Sequence, residues 1–153
     1  MAENKIDLDA LTSLPARREL LANLPQLTAD FQALLGDDLL RLGLEVHVAG
    51  GEMAICSLGV AGFRQHQGII MGGANALLGE CAGSFAASLA APAGKIAIGT
   101  DIQMRHLRVA KSGRIYCLAR QLRISANSGV YSLRIYREDG ELTAAGSHAC
   151  VFK

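Results

Sequence analysis

Glu80 is the only charged residue between Gly73 and Ala91. Its neighbours are small and apolar, the composition of a helix fit for burial. A lone carboxylate in such a helix is costly unless it has a partner or a reaction to perform. Gly72 and Gly73 fall where that helix would begin. Glycine there lets a ligand approach the backbone, and the free N–H groups and positive helix end suit a developing oxyanion. Glu80 follows about two turns later, and Ser84, four residues on, shares its face. An oxyanion donor, a carboxylate and a hydroxyl on one helix side make an acyl-transfer site. In it Glu80 would activate water as general base or attack the acyl carbon itself. A plainer reading stands beside this one. A mid-helix Glu can be a buried acid satisfied by a backbone group or by an Arg across an interface, and a Gly pair can be a tight turn. Spacing alone leaves both open.

The elements that must position these residues are legible in the pattern. Leu44, Val46 and Val48 alternate with Glu45, His47 and Ala49, Gly50-Gly51 marks a hairpin turn, and residues 53–58 return. An irregular segment, 59–70, precedes the apolar helix, which Pro92-Ala-Gly94 stops. Residues 95–108, 113–125, 130–137 and 142–152 have strand composition, with turn signals at Asn127-Ser-Gly129 and Asp139-Gly140. The expected class is α+β: an antiparallel meander curling around one long central helix. A helix buried nearly all round and an apolar sheet leave surface for a partner, so a homo-oligomer is expected. Residues 1–42 read as a helical arm, with a cap at Ser13, Pro15 in the first turn, a break at Pro25 and a second cap at Thr28. Residues 43–153 form the main domain.

The chain has 153 residues, half of them hydrophobic, room for one domain with a sizeable core. Fifteen basic residues against fourteen acidic ones leave no electrostatic footprint for nucleic acid or a membrane surface. The first residues carry charge where a secretion signal needs an apolar core. The apolar run is long enough to raise a membrane span, but its Ala, Gly and Ser content and central Glu80 favour a helix wrapped by protein. Cys56, Cys81, Cys117 and Cys150 are widely spaced and form no Cys-x-x-Cys pair. They fit buried thiols of a reducing cytoplasm, with no metal site expected.

The segment Gln65-His-Gln-Gly-Ile-Ile-Met-Gly-Gly-Ala-Asn-Ala-Leu-Leu-Gly-Glu80 resembles the active-site region of hotdog-fold acyl-CoA thioesterases. It is most similar to the PaaI-like group, which includes the enterobactin-pathway proofreading thioesterase. That group has Asn or Gln, a Gly, then His-Gly-Gly, then Asp or Glu nine residues after the His. Here the set is Gln65, Gly68, Met71-Gly72-Gly73 and Glu80. The similarity runs on through Ser84 and residues 98–108, then loosely to Phe152. The resemblance implies a hotdog fold, an antiparallel sheet wrapped around the helix, and hydrolysis of an acyl-CoA or acyl-carrier-protein thioester. It makes Glu80 the base or nucleophile and the Gly72 N–H, with Gly73, the oxyanion donor. Gln65 would orient the carbonyl or the water, and Ser84 would position the water. His106 would approach from a neighbouring subunit; its other reading is a solvent-facing strand histidine. Arg64, Arg105 and Arg108, with Lys111 and Arg114 nearby, would hold coenzyme A phosphates or be ordinary solvated strand ends. A dimer of dimers, a homotetramer with shared active sites, is implied. No cofactor is, beyond coenzyme A as part of the substrate.

Met71 departs from the pattern, because methionine neither titrates nor donates a directional hydrogen bond. It keeps a non-catalytic acyl-CoA-binding protein in view as an alternative. A hydratase or dehydratase on the same fold is a weaker one, since no His lies close to Glu80 along the helix.

Overall fold

The computed structural model describes residues 38, 39 and 41–153, so the arm expected over 1–42, with its caps at Ser13 and Thr28, lies outside the described residues except for its end. Strand β1 (Glu45–Ala49) pairs with β2 (Met53–Gly59) across a turn that is closed by reciprocal bonds between Gly50 and Met53. A 3-10 turn (Ala61–Phe63) and a loop lead into helix α1 (Gly72–Ala90). Strands β3 (Ala97–His106), β4 (Arg114–Ile124), β5 (Ser128–Arg137) and β6 (Leu142–Phe152) complete a six-stranded antiparallel sheet.

The order across the sheet is β1-β2-β4-β5-β6-β3. Only β4, β5 and β6 follow one another as the expected meander. β3 crosses to the far edge and pairs with β6, while β4 pairs with β2. Alternation assigns a strand its faces but not its partner, so this order was beyond the sequence pattern.

The α1 face that meets the sheet is made of Ala, Gly and Leu. Ala74, Leu78, Ala82, Phe85 and Ala86 are buried against inward residues such as Leu58, Ile115, Leu133 and Ile135. A Cβ on Gly79 would lie 2.7 Å from the Met104 methyl and 2.9 Å from a Leu133 methyl. A helical glycine costs about 1 kcal/mol relative to alanine; here it lets helix and sheet approach. The helix is not buried all round, as the composition suggested. Gly73, Glu80 and Ser88 are exposed and Leu77 and Ser84 half-buried, a stripe at helical spacing that turns away from the sheet.

Two local expectations change. Gly129 is not a turn residue: Ser125 and Ser128 close the β4–β5 turn, and Gly129 pairs with Ile124 inside the ladder. A Cβ there would meet the Ile124 methyl at 2.8 Å and the Cys150 Sγ at 3.1 Å, so close packing explains it. Gly140, at φ +79°, does form the expected β5–β6 turn.

Candidate active site

Helix α1 begins without a side-chain cap. Met71 takes the N-cap position in extended conformation, and no acidic residue lies in the first turn. The leading N–H groups of a helix have no intrahelical partner, so Gly72 and Gly73 present donors and the positive end of the helix. Met71 is exposed, and its methyl would lie 3.1 Å from a Cβ on Gly73. It therefore lies over the glycine pair without polar contact. The preceding loop is held by its own backbone: the Gln65 N–H donates to Ile69 O, Gly68 N–H to Gln65 O, and Met71 N–H to Phe63 O. That hairpin-like loop leaves the Gln65 side chain exposed beside the helix end.

His106, the last residue of β3, stands over the same helix end. A Cβ on Gly72 would meet its Nε2 at 2.7 Å, so only glycine fits beneath the ring. Asn75 is 3% exposed, and its Nδ2 donates to His106 Nδ1 at 3.1 Å. With Nδ1 accepting, a neutral ring carries its proton on Nε2, the atom against Gly72. His106 thus stands over the glycine pair of its own chain. Gln65, Gly72, Asn75, His106 and Arg108 line one hollow of about 250 Å3.

Glu80 and Ser84 line another, of about 390 Å3, with Leu77, Cys81, Phe85 and Ser88. The Glu80 carboxylate is exposed, so the burial cost that first singled it out is not incurred within one chain. Eight residues separate Gly72 from Glu80, about 12 Å along the axis. The sequence-chosen residues therefore fall into two groups: Gln65, Gly72 and His106 at the helix end, Glu80 and Ser84 two turns on. Cys81 lies beside Glu80, and burial pushes its thiol up to about 11, so it stays protonated and is a poor nucleophile.

The basic set disperses. Arg108 pairs with Glu141 at 2.8 Å and donates to Leu142 O. Arg114 is taken up by Glu45 at 3.2 Å, Ser57 at 3.0 Å and Gly43 O. Arg64, Arg105 and Lys111 are exposed, and no ion pair among the described residues involves them. The four cysteines are buried free thiols, and no cluster of metal-ligating side chains occurs among the described residues. No helix among them is long and apolar enough to cross a membrane.

Two polar residues escaped the sequence reading. Asn75 was visible as one of the few polar positions in the apolar helix. His148 occupies an inward position of β6, where Ala144, Gly146, Cys150 and Phe152 set the alternation; an ionisable residue at a core position was the signal.

The thioesterase superfamily model matches residues 67–144, the span from the loop before α1 into β6. The chain belongs to the thioesterase superfamily. Its similarity to proofreading thioesterase EntH of Cronobacter sakazakii is 32% identity over 108 residues, 69% of this chain and 68% of that one. A thioesterase structure from Haemophilus influenzae superposes with TM-score 0.75 at 26% identity, covering 80% of this chain and 87% of that chain. The PaaI protein of Escherichia coli shares the fold, with TM-score 0.71 at 18% identity over 80% and 88% of the two chains. The helix on its antiparallel sheet is a hotdog fold, and the protein is a thioester hydrolase.

Proposed function

We propose that this thioester hydrolase acts on an acyl-CoA, or on an acyl group borne by a carrier protein, with Glu80 as the reacting carboxylate. The observation that carries the reading is the uncapped start of α1: two glycine N–H groups, a His106 ring fixed by Asn75 above them, and a free carboxylate two turns on. The thioester carbonyl oxygen is read at Gly72, with Gly73 as a second donor and His106 Nε2–H as a third. Gln65 orients the carbonyl or the water, and Met71 contributes apolar cover. In one route Glu80 takes a proton from water as it attacks the carbonyl carbon. The tetrahedral intermediate collapses, the C–S bond breaks, and the thiolate leaves with a proton. In the other route Glu80 attacks the carbonyl carbon directly, the C–S bond breaks and the thiolate leaves, and water hydrolyses the resulting anhydride to release the acid and free Glu80. Ser84, on the Glu80 face, positions the water. Coenzyme A enters only as part of the substrate, its phosphates read by Arg64 and Arg105. Arg108, already paired with Glu141, is the weaker candidate.

The separation of the two groups of residues supports a shared site, in which Glu80 of one copy meets the helix start of another. The outward stripe of α1 and the edge strand β3, with Ile98 exposed, supply surface for a homo-oligomer, read as a dimer of dimers in the cytoplasm. Mixing Glu80→Gln with His106→Ala protein tests this. For a shared site, randomly reassembled dimers recover roughly a quarter of wild-type sites, since half are hybrids with one intact site each. No recovery after verified subunit exchange removes the shared-site reading.

A non-catalytic acyl-CoA-binding role is the second reading, and Met71 in place of the family His favours it. Thiol release from short, medium and aryl acyl-CoAs, measured beside Glu80→Gln, separates the two. Tight binding without thiol release in either protein sinks catalysis, and equal turnover by both sinks the assignment to Glu80. A hydratase or dehydratase would convert an enoyl-CoA without releasing thiol.

A further inference from the structure

His148 is a residue of β6 whose ring faces helix α1. It is 1% exposed, and neither ring nitrogen makes a well-aligned hydrogen bond among the described residues, the Asp101 backbone being the polar group that favours its proton. A buried polar group left unpaired is costly, so an ordinary core position would carry a leucine or valine. The surroundings are instead shaped around the ring. A Cβ on Gly83 of α1 would fall 2.7 Å from its Cδ2 and Cγ. A Cβ on Gly99 of β3 would fall 3.0 Å from its Cε1 and 3.7 Å from its Nε2. That same point is 3.8 Å from Glu80 Oε1. The side chain missing at Gly99 would have stood beside both the imidazole nitrogen and the carboxylate.

Strand β3 is irregular at this place. Its register with β6 shifts between Gly99 and Asp101, and the Thr100 hydroxyl donates to Ala149 O. Bulges re-aim side chains and recur beside functional sites. Glu80 is exposed and has no hydrogen bond or ion pair among the described residues. Three rotatable bonds let its carboxylate turn inward past Gly99.

We propose that His148 is a positioning residue for Glu80: its neutral ring donates from Nε2–H to the carboxylate across the gap at Gly99. The proposal rests on Glu80 being the reacting carboxylate. The bond fixes one carboxylate oxygen and leaves the other for water or the acyl carbon. It also favours the ionised form of Glu80. Burial lowers the His148 pKa, while Glu80 on α1 and Asp101 on β3 raise it without prevailing. Tyr131, its neighbour on β5, is neutral, because burial pushes that phenol up to about 12. The ring is thus a neutral donor near pH 7.

Nitrogen-15 NMR of the histidine rings in the intact protein tests the contact directly. The expected result is a neutral Nε2–H tautomer for His148 whose ring shifts move in Glu80→Ala. A ring unchanged by that substitution overturns the proposal. Kinetics supply the second arm. His148→Leu should lower kcat about tenfold to hundredfold with KM within about twofold, and should move the acid limb of the rate profile upward by about one pH unit. His148→Gln, which keeps an N–H near the Nε2 position, should restore most of both. A folded His148→Leu protein with wild-type kcat and an unmoved acid limb overturns the proposal. Full activity in Glu80→Gln removes the catalytic reading of Glu80, while the ring measurement still decides the contact.

Discussion

The two sides of α1 solve opposite problems with the same small residues. Facing the sheet, Ala74, Leu78, Gly79, Ala82, Gly83 and Ala86 are buried, and the glycines let strands come within a methyl's distance. Facing away, Gly73, Leu77, Glu80, Ser84 and Ser88 form an open stripe bordered by a hollow. The sheet side tolerates no added volume, because its neighbours are close-packed strands. The open side tolerates change in structure but concentrates the candidate chemistry. Stability and activity should therefore respond to substitutions on different sides of one helix.

The sharpest separation comes from Glu80→Gln. Loss of the general base should lower kcat/KM by about 10²–10⁴, while denaturant unfolding stays within about 0.5 kcal/mol of wild type, as at other exposed positions. A large stability loss would place Glu80 in the structural side instead. Gly83→Val, on the sheet side, should lower stability. Its Cβ meets the His148 ring at 2.7 Å, and overpacking of this kind costs about 1–3 kcal/mol, readable in the urea midpoint. An unchanged midpoint would mean the helix–sheet contact yields.

Met71→His probes the open end of the helix. If the family histidine contributes directly, the rate should rise about tenfold, or about 1.4 kcal/mol of barrier. No gain would indicate that His106, held by Asn75, already fills that role. The smallest effect is one of pH. Burial lowers the pKa of His148, and of His47 where burial outweighs the Glu45 carboxylate, below the ordinary 6.5. The unfolded chain therefore binds more protons than the fold below that value. Stability is intact above pH 6.5 and declines as pH falls through the range beneath it. Thermal melts from pH 8 to 5 should show this, with a shallower decline in His148→Leu.

Much of the fold was legible because its signals are local. The hairpin at Gly50, the helix stop at Pro92, the turn at Gly140 and the alternation of β4 to β6 each depend on a few neighbouring residues. The glycine pair and Glu80 were legible for the same reason: one helix carries them at fixed spacing. Pairings between distant segments were not. Arg108 and Arg114 read as a basic patch, yet one is spent on Glu141 and the other on Glu45 and Ser57. Charge in sequence does not say which carboxylate the sheet will bring alongside.

The sequence by itself determined the element order, the apolar helix with its one carboxylate, and the motif that assigns the chain to its family. Those features rest on periodicity and on residue chemistry within a few turns. Only the tertiary structure decided that β3 leaves the meander to pair with β6. That crossing sets His106 over Gly72 and brings Gly99 beside His148 and Glu80. On the helix no histidine stands near Glu80; in the fold His148, sixty-eight residues later in the chain, does. Such proximity is set by strand order and by the glycines that let the layers close, and neither can be read from spacing along the chain.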